Sequence, residues 1–338
     1  MMIYPHFLDK GSYIGISASS DGNKKELDLI RLDHGKEQLT KRGFSVIETA
    51  HVRSSEKGRS ADARTRAAEL NELFDNEKIR WILSAKGGDF LVEMLPFVDF
   101  ERIRQNPKWF QGYSDNTGLA FTITSNCDVA TVYSCNFNDF GMGEWHKALE
   151  HNLAILEGKK VIQTSFDFYE DGFYDKVTGL ESYRLDQPVY WQNLSSKKEV
   201  RMSGRLLGGC LDVLLNLVGT RFDKTVQFIN KYRQDGVLWY LESFALNSDA
   251  LTRGLWQLKE AGWFDTAKGF VFGRPTFFTP MYEISYEEAV LSVLGDLQVP
   301  IILDADIGHK PPQMTMINGA LATIYSEAGK GSLEIELK

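Results

Sequence analysis

The sequence predicts an α/β protein with a mostly parallel sheet covered by helices on both faces. Short apolar runs of strand type alternate with amphipathic stretches of helical period up to Gly158, the rhythm of successive βα units. The same alternation resumes after about residue 202, and the chain closes on two apolar-alternating runs that read as a hairpin. At 338 residues the chain has length for two domains of ordinary size, each with its own core.

Residues 12–17 are strand-like and end in the polar turn Ser19-Ser20-Asp21-Gly22-Asn23. A helix follows, with Leu27, Ile30, Leu32 and Leu39 along it and Gly43 suited to its C′ position. Residues 44–47 form a second strand, 53–59 a polar loop and 61–74 an alanine-rich amphipathic helix. The buried-type strand 81–83 runs into Ser84-Ala85-Lys86-Gly87-Gly88-Asp89. Next come a helix ending near Pro96, a strand at Trp109-Phe110, a turn at Ser114 and a helix through 119–123. A strand at 129–133 and a helix at 144–156, closed by Gly158, complete this half.

The segment 162–201 breaks the rhythm. It is dense in aromatics (Phe166, Phe168, Tyr169, Phe173, Tyr174, Tyr183, Tyr190, Trp191) with little periodicity. It reads as a linker with a long loop over the site, or as a peripheral hairpin packed by its own aromatics. Beyond it, Gly208-Gly209 joins a strand to a helix at 211–218, and the apolar strand 236–241 ends at Glu242. A helix at 250–261, capped by Ser248 or Asp249, precedes a strand at 268–273, a helix at 283–294 and a strand at 300–303. The hairpin pairs 322–325 with 333–337. The expected organisation is therefore an N-terminal α/β domain over 1–161, a linker and covering loop over 162–201, and a second domain over 202–338.

Composition narrows the function. A net charge of −8 and a pI near 5.4 argue against nucleic-acid binding, which needs a basic face. No apolar run is long enough to span a membrane, and the N-terminus lacks the basic start and apolar core of a secretory signal. Cys127, Cys135 and Cys210 have no metal-type spacing, which suggests buried thiols in a reducing cytoplasm. No G-x-G-x-x-G follows the first strand, which counts against a dinucleotide enzyme. His146 and His151 are five apart and share no helical face, and H-E-x-x-H is absent, so no metal site is expected. The lack of a signal also counts against a two-domain small-molecule binding module.

The chemistry centres on Gln111-Gly112-Tyr113-Ser114-Asp115-Asn116-Thr117-Gly118. A serine between a strand and a helix has its hydroxyl pushed out of the sheet, beside first-turn N–H groups that can face an oxyanion. The G-x-S-x-G elbow is not matched, because Asn116 stands at the second glycine. Ser114 or Asp115 can equally be an ordinary helix cap, with Gly112 a turn residue. Glu242 ends an apolar strand, where a carboxylate is costly unless paired. His309 lies in Asp304-Ala305-Asp306-Ile307-Gly308-His309-Lys310-Pro311-Pro312, directly after another apolar strand. Together the three supply a nucleophile, a base and an orienting acid in the order Ser, Glu, His.

Gly112 to Thr117, Gly87-Gly88, Gly208-Gly209, Leu241-Glu242 and Gly308-His309 resemble the LD-carboxypeptidase family, including its microcin C immunity branch, in order and spacing along nearly the whole chain. The resemblance implies a Rossmann-like or flavodoxin-like N-domain, a smaller β-rich C-domain, a homodimer and a cytoplasmic serine peptidase without a cofactor. It implies Ser114 as nucleophile, His309 as general base, Glu242 as its partner, and the N–H groups of Gly88 and Asp115 as oxyanion hole. Two substrates follow: the microcin C branch cuts the amide of an aminoacyl nucleotide, the other branch releases D-alanine from a muropeptide. The extra length in 162–201 favours the first. There Trp191 is expected to stack on a nucleobase or to pack on Tyr190. Lys86 is expected to meet a substrate carboxylate or to be a surface lysine, and Asn216 is a further candidate contact.

Overall fold

A computed structural model describes residues 1–195 and 197–337. The first half alternates as expected: β1 (Tyr13–Ser17), α1 (Glu26–Lys41), β2 (Ser45–Glu48), α2 (Ala63–Asp75), β3 (Ile79–Ser84), α3 (Phe100–Gln105), β4 (Trp109–Gln111), α4 (Thr117–Cys127), β5 (Thr131–Tyr133) and α5 (Lys147–Leu156). The 162–201 segment supplies the short strands β6 (Ile162–Thr164), β7 (Phe168–Tyr169), β8 (Gln187–Pro188) and β9 (Gln192–Asn193). The remainder is β10 (Glu199–Cys210), α6 (Leu211–Leu217), α7 (Thr225–Lys231), β11 (Val237–Glu242), α8 (Ser248–Glu260), β12 (Ala267–Gly273), α9 (Tyr286–Leu294), β13 (Ile301–Ala305), β14 (Met316–Asn318), β15 (Leu321–Glu327) and β16 (Lys330–Glu336).

Two sheets carry the structure. The first runs β14-β5-β4-β3-β1-β2, with β5 to β2 parallel and β14 antiparallel on β5. Read from its other edge, 2-1-3-4-5 is the flavodoxin-like order, whose switch point lies between β1 and β3. The second runs β6-β16-β15-β10-β11-β12-β13-β9, with four central parallel strands and antiparallel edges.

Several local expectations shift. The 162–201 segment is not simply a linker: β6 and β9 are the two outermost strands of the second sheet. Their pairing was hidden because two or three residues carry no legible period. The helix ending near Pro96 is a pair of 3₁₀ turns, Leu91–Glu93 and Leu95–Phe97. The cap of α8 is Asn247, whose side chain accepts from Ala250 N at 3.0 Å. Ile30 is exposed, whereas Leu32 and Leu39 are buried as expected, together with Arg31 and Gly35 of α1.

Helix α4 joins the halves. Every residue from Thr117 to Ser125 is buried, as for a helix covered on all sides. Its Phe121 stacks on Trp263 with centroids 5.1 Å apart, and Trp263 stacks on Trp239 of β11 at 5.9 Å. Truncating such a ring loses transfer energy and leaves a void. Phe121→Ala is therefore expected to cost about 3–5 kcal/mol, read as a lowered urea midpoint with an unchanged slope.

Candidate active site

Four strand ends converge. Ser114 follows β4, Gly87 and Gly88 follow β3, Glu242 ends β11, and His309 follows β13. All four strands belong to the parallel parts of their sheets, so the carboxyl edge of one sheet faces that of the other, where such folds place their sites.

Ser114 begins a 3₁₀ turn (Ser114–Asn116) at the mouth of α4, with φ of +63°. A non-glycine residue in the left-handed region is strained, and such strain is held where surroundings over-determine the turn. The surroundings here are two asparagines. Asn136 Oδ1 accepts from Tyr113 N at 3.2 Å, and Asn116 Nδ2 donates to Lys86 O at 3.0 Å and Tyr113 O at 3.2 Å. Neither Ser114 nor Asp115 caps the helix with its side chain. The cap alternative fails because the hydroxyl faces His309.

The structure brings Ser114, His309 and Glu242 together. His309 Nε2 stands 2.9 Å from Ser114 Oγ, and His309 Nδ1 stands 3.0 Å from Glu242 Oε2. Glu242 is 0% exposed, and its other oxygen accepts from Tyr133 OH at 2.6 Å. Burial pushes this carboxyl up, but the charge of His309 and hydrogen bonds from His309, Tyr133 and the Cys210 thiol outweigh it and hold it below the usual range. Tyr113 and Phe244 flank the imidazole, their ring centroids 5.1 Å and 4.6 Å away. Gly308, at φ +91°, allows no substitute, since a Cβ would stand 2.7 Å from Glu242 Cδ.

The Gly88 loop lies beside Ser114. A Cβ on Gly88 would stand 2.3 Å from Ser20 Oγ, and Ser20 Oγ donates to Asp115 Oδ2. Asp115 Oδ2 also accepts from Leu91 N at 2.8 Å. Burial pushes the Asp115 carboxyl up, against the pull of those two donors. Ser20 follows β1 and Gly88 follows β3, so this contact closes over the switch point of the first sheet.

A cleft of about 590 Å³ opens over Ser114 and His309, lined also by Gly88, Asp89, Phe173, Asp212, Asn216 and Phe244. No Lys or Arg lines it among the described residues. Asp212 anchors one wall, accepting from Phe244 N at 2.9 Å and Ala245 N at 3.0 Å. A larger cavity of about 760 Å³ over the 51–62 loop holds no nucleophile–base pair, and its Arg53 and Arg59 are paired with Glu48, Asp33 and Glu93.

Two expected contacts lie elsewhere. Trp191 is 2% exposed, donates from Nε1 to Asp306 Oδ2 at 3.0 Å and is not among the residues lining the cleft. Lys86 Nζ lies 3.3 Å from Asp21 and 3.7 Å from Asp28, drawn away from the cleft by those carboxylates. Asn216 does line the cleft, with Nδ2 donating to Asp212 O at 2.9 Å. His146 caps α5 through Nδ1, and burial with nearby Lys147 pushes it down to about 4. Sequence reading missed Tyr133, Asn136, Asp212 and Phe244, which sit in ordinary apolar or polar runs with no distinguishing signal. Ser20 belonged to a turn that was noticed without a role.

Residues 14–134 match the LD-carboxypeptidase N-terminal domain, and residues 203–324 match the LD-carboxypeptidase C-terminal domain. The chain is a member of the LD-carboxypeptidase family. It is a serine-type carboxypeptidase or related hydrolase, as the family assignment implies. It is 26% identical over 337 residues to a carboxypeptidase candidate of Vibrio cholerae, covering 96% of this chain and 95% of that protein. It is 26% identical over 302 residues to the microcin C7 self-immunity protein MccF of Escherichia coli, covering 87% and 85%. The structure of MccF in complex with aspartyl sulfamoyl adenosine superposes with a TM-score of 0.81 at 25% identity, covering 100% of this chain and 99% of that one. No helix among the described residues is long and apolar enough to cross a membrane.

Glu242 provides a pH test. Its folded-state pKa lies below the ordinary 4.5. The stabilisation is therefore fully present above pH 4.5 and is lost as pH falls through the lower folded value. Glu242→Gln is expected to lose about 1–3 kcal/mol at neutral pH, because the carboxamide weakens the charge-assisted hydrogen bonds with Tyr133 and His309. The gap to wild type, measured by urea unfolding, should narrow as the pH is taken below 4.5.

Proposed function

We propose that this family member is a serine amidase in which Ser114 is the nucleophile, His309 the general base and Glu242 the residue that orients it. The carrying observation is the continuous chain Ser114 Oγ–His309 Nε2 at 2.9 Å and His309 Nδ1–Glu242 Oε2 at 3.0 Å. His309 takes the Ser114 proton as Oγ attacks the amide carbon, then gives it to the departing amine. Glu242 meanwhile stabilises the imidazolium. The acyl-enzyme is released by water through the same base. Gly88 and Asp115 line the cleft, and in this reading their N–H groups stabilise the tetrahedral oxyanion.

For the substrate we propose an aminoacyl-nucleotide amide of the microcin C type. Support comes from the cleft lining, which among the described residues offers no Lys or Arg to a terminal carboxylate. Phe173 and Phe244 also line it, and an aromatic ring stacked on a base is worth about 1–3 kcal/mol in other proteins. The MccF complex with aspartyl sulfamoyl adenosine supports the same substrate class. Release of D-alanine from a muropeptide is the alternative, favoured by the carboxypeptidase-named relatives. We place the protein in the cytoplasm as a homodimer. The three free buried cysteines support that compartment, and light scattering in solution tests the assembly.

Wild type and Ser114→Ala, offered an aspartyl sulfamoyl adenosine amide and a muramoyl tetrapeptide, separate these readings. We expect cleavage of the nucleotide compound alone, reduced on the order of 10⁴-fold or more in the variant. D-Alanine release instead selects the carboxypeptidase reading. Cleavage that persists in Ser114→Ala removes Ser114 from the chemistry.

A further inference from the structure

The loop that carries His309 is held from behind by three buried side chains. Asp306, 0% exposed, begins this loop after β13, and Arg274, 4% exposed, follows β12. Arg274 Nη2 meets Asp306 Oδ1 at 2.9 Å, while Nη1 donates to Asp304 O at 3.0 Å and Nη2 to Lys310 O at 3.2 Å. One guanidinium thus clasps the backbone on both sides of His309. The other carboxylate oxygen of Asp306 accepts from Trp191 Nε1 at 3.0 Å and from Phe166 N at 3.2 Å. The backbone oxygen of Asp306 takes Met314 N at 2.7 Å, closing the far end of the loop. Tyr169 covers the guanidinium, its ring centroid 4.3 Å from the central carbon.

A buried ion pair is poor evidence of net stability, because desolvation offsets the attraction. Its attested use is to fix one geometry, and the geometry fixed here is that of a loop whose imidazole must stay within hydrogen-bond reach of Ser114. We propose that Trp191, Asp306 and Arg274 are positioning residues that hold His309 against Ser114, with Trp191 acting through Asp306 and touching no substrate. The inference rests on His309 being the base. Trp191 and Phe166 belong to the 162–201 segment, so that segment sets the active-site geometry from beneath the loop.

The test is the labelling of Ser114 by a fluorophosphonate probe. Trp191→Phe keeps the ring and removes the Nε1 donor. Arg274→Lys keeps the charge and loses the fork that reaches both carbonyls. In both we expect kinact to fall about tenfold or more, since small misplacements of a reacting group weaken proximity effects steeply, with KI unchanged. Leu333→Ala, in the same apolar cluster as Trp191, lowers the melting temperature without changing kinact and controls for general loosening. Wild-type kinact in both variants, or a raised KI alone, overturns the proposal. If wild type itself is not labelled at Ser114, the reading of the triad fails, an outcome distinct from failure of the mount.

Discussion

The structure depends on one carboxylate with no exposure to water. An isolated buried charge costs many kcal/mol, so Glu242 exists in its place only because every face of it is answered. Tyr133 reaches it from the first sheet and His309 from the loop after β13. Those two partners come from distant parts of the chain. Satisfying Glu242 therefore requires the two carboxyl edges to close on each other, and the same closure brings His309 to Ser114. Stability and the geometry of the site are in this respect one condition.

The closure has a topological basis. Strand β14 leaves the second half of the chain to pair with β5, and α4 lies buried between the sheets with its aromatic stack on Trp263 and Trp239. Ser114 is set by strain stored in a single φ angle, held by Asn116 and Asn136. The loop of His309 lies over a buried ion pair between Arg274 and Asp306. Each of these two residues thus has its own buried polar surroundings, and the apolar cleft wall is left to Phe173 and Phe244.

Much of this was legible in the residues. Ser114, Glu242 and His309 each stand at the end of an apolar run, and a period-2 or short apolar run marks a strand whose end must reach a sheet edge. What stayed open was chemistry read without burial. The aromatic, aperiodic segment around Trp191 allows a ring over the substrate or one packed on Tyr190, and such a segment can still add edge strands when its backbone pairs with a neighbour. Lys86 allows a substrate carboxylate or a surface position as its partner, and the carboxylates that it meets, Asp21 and Asp28, are brought near only by the packing of α1 and the first turn.

The sequence by itself determined the alternation of strands and helices, the acidic charge, the order of Ser114, Glu242 and His309 and the family resemblance, because local periodicity and motif spacing are properties of neighbours along the chain. The tertiary structure alone decided which polar side chains answer Glu242, that Trp191 lies under the His309 loop, and that no Lys or Arg lines the cleft among the described residues. Those facts depend on contacts between residues from about a hundred to nearly two hundred positions apart, and burial, which gives a polar group its energetic weight, exists only once such contacts have formed.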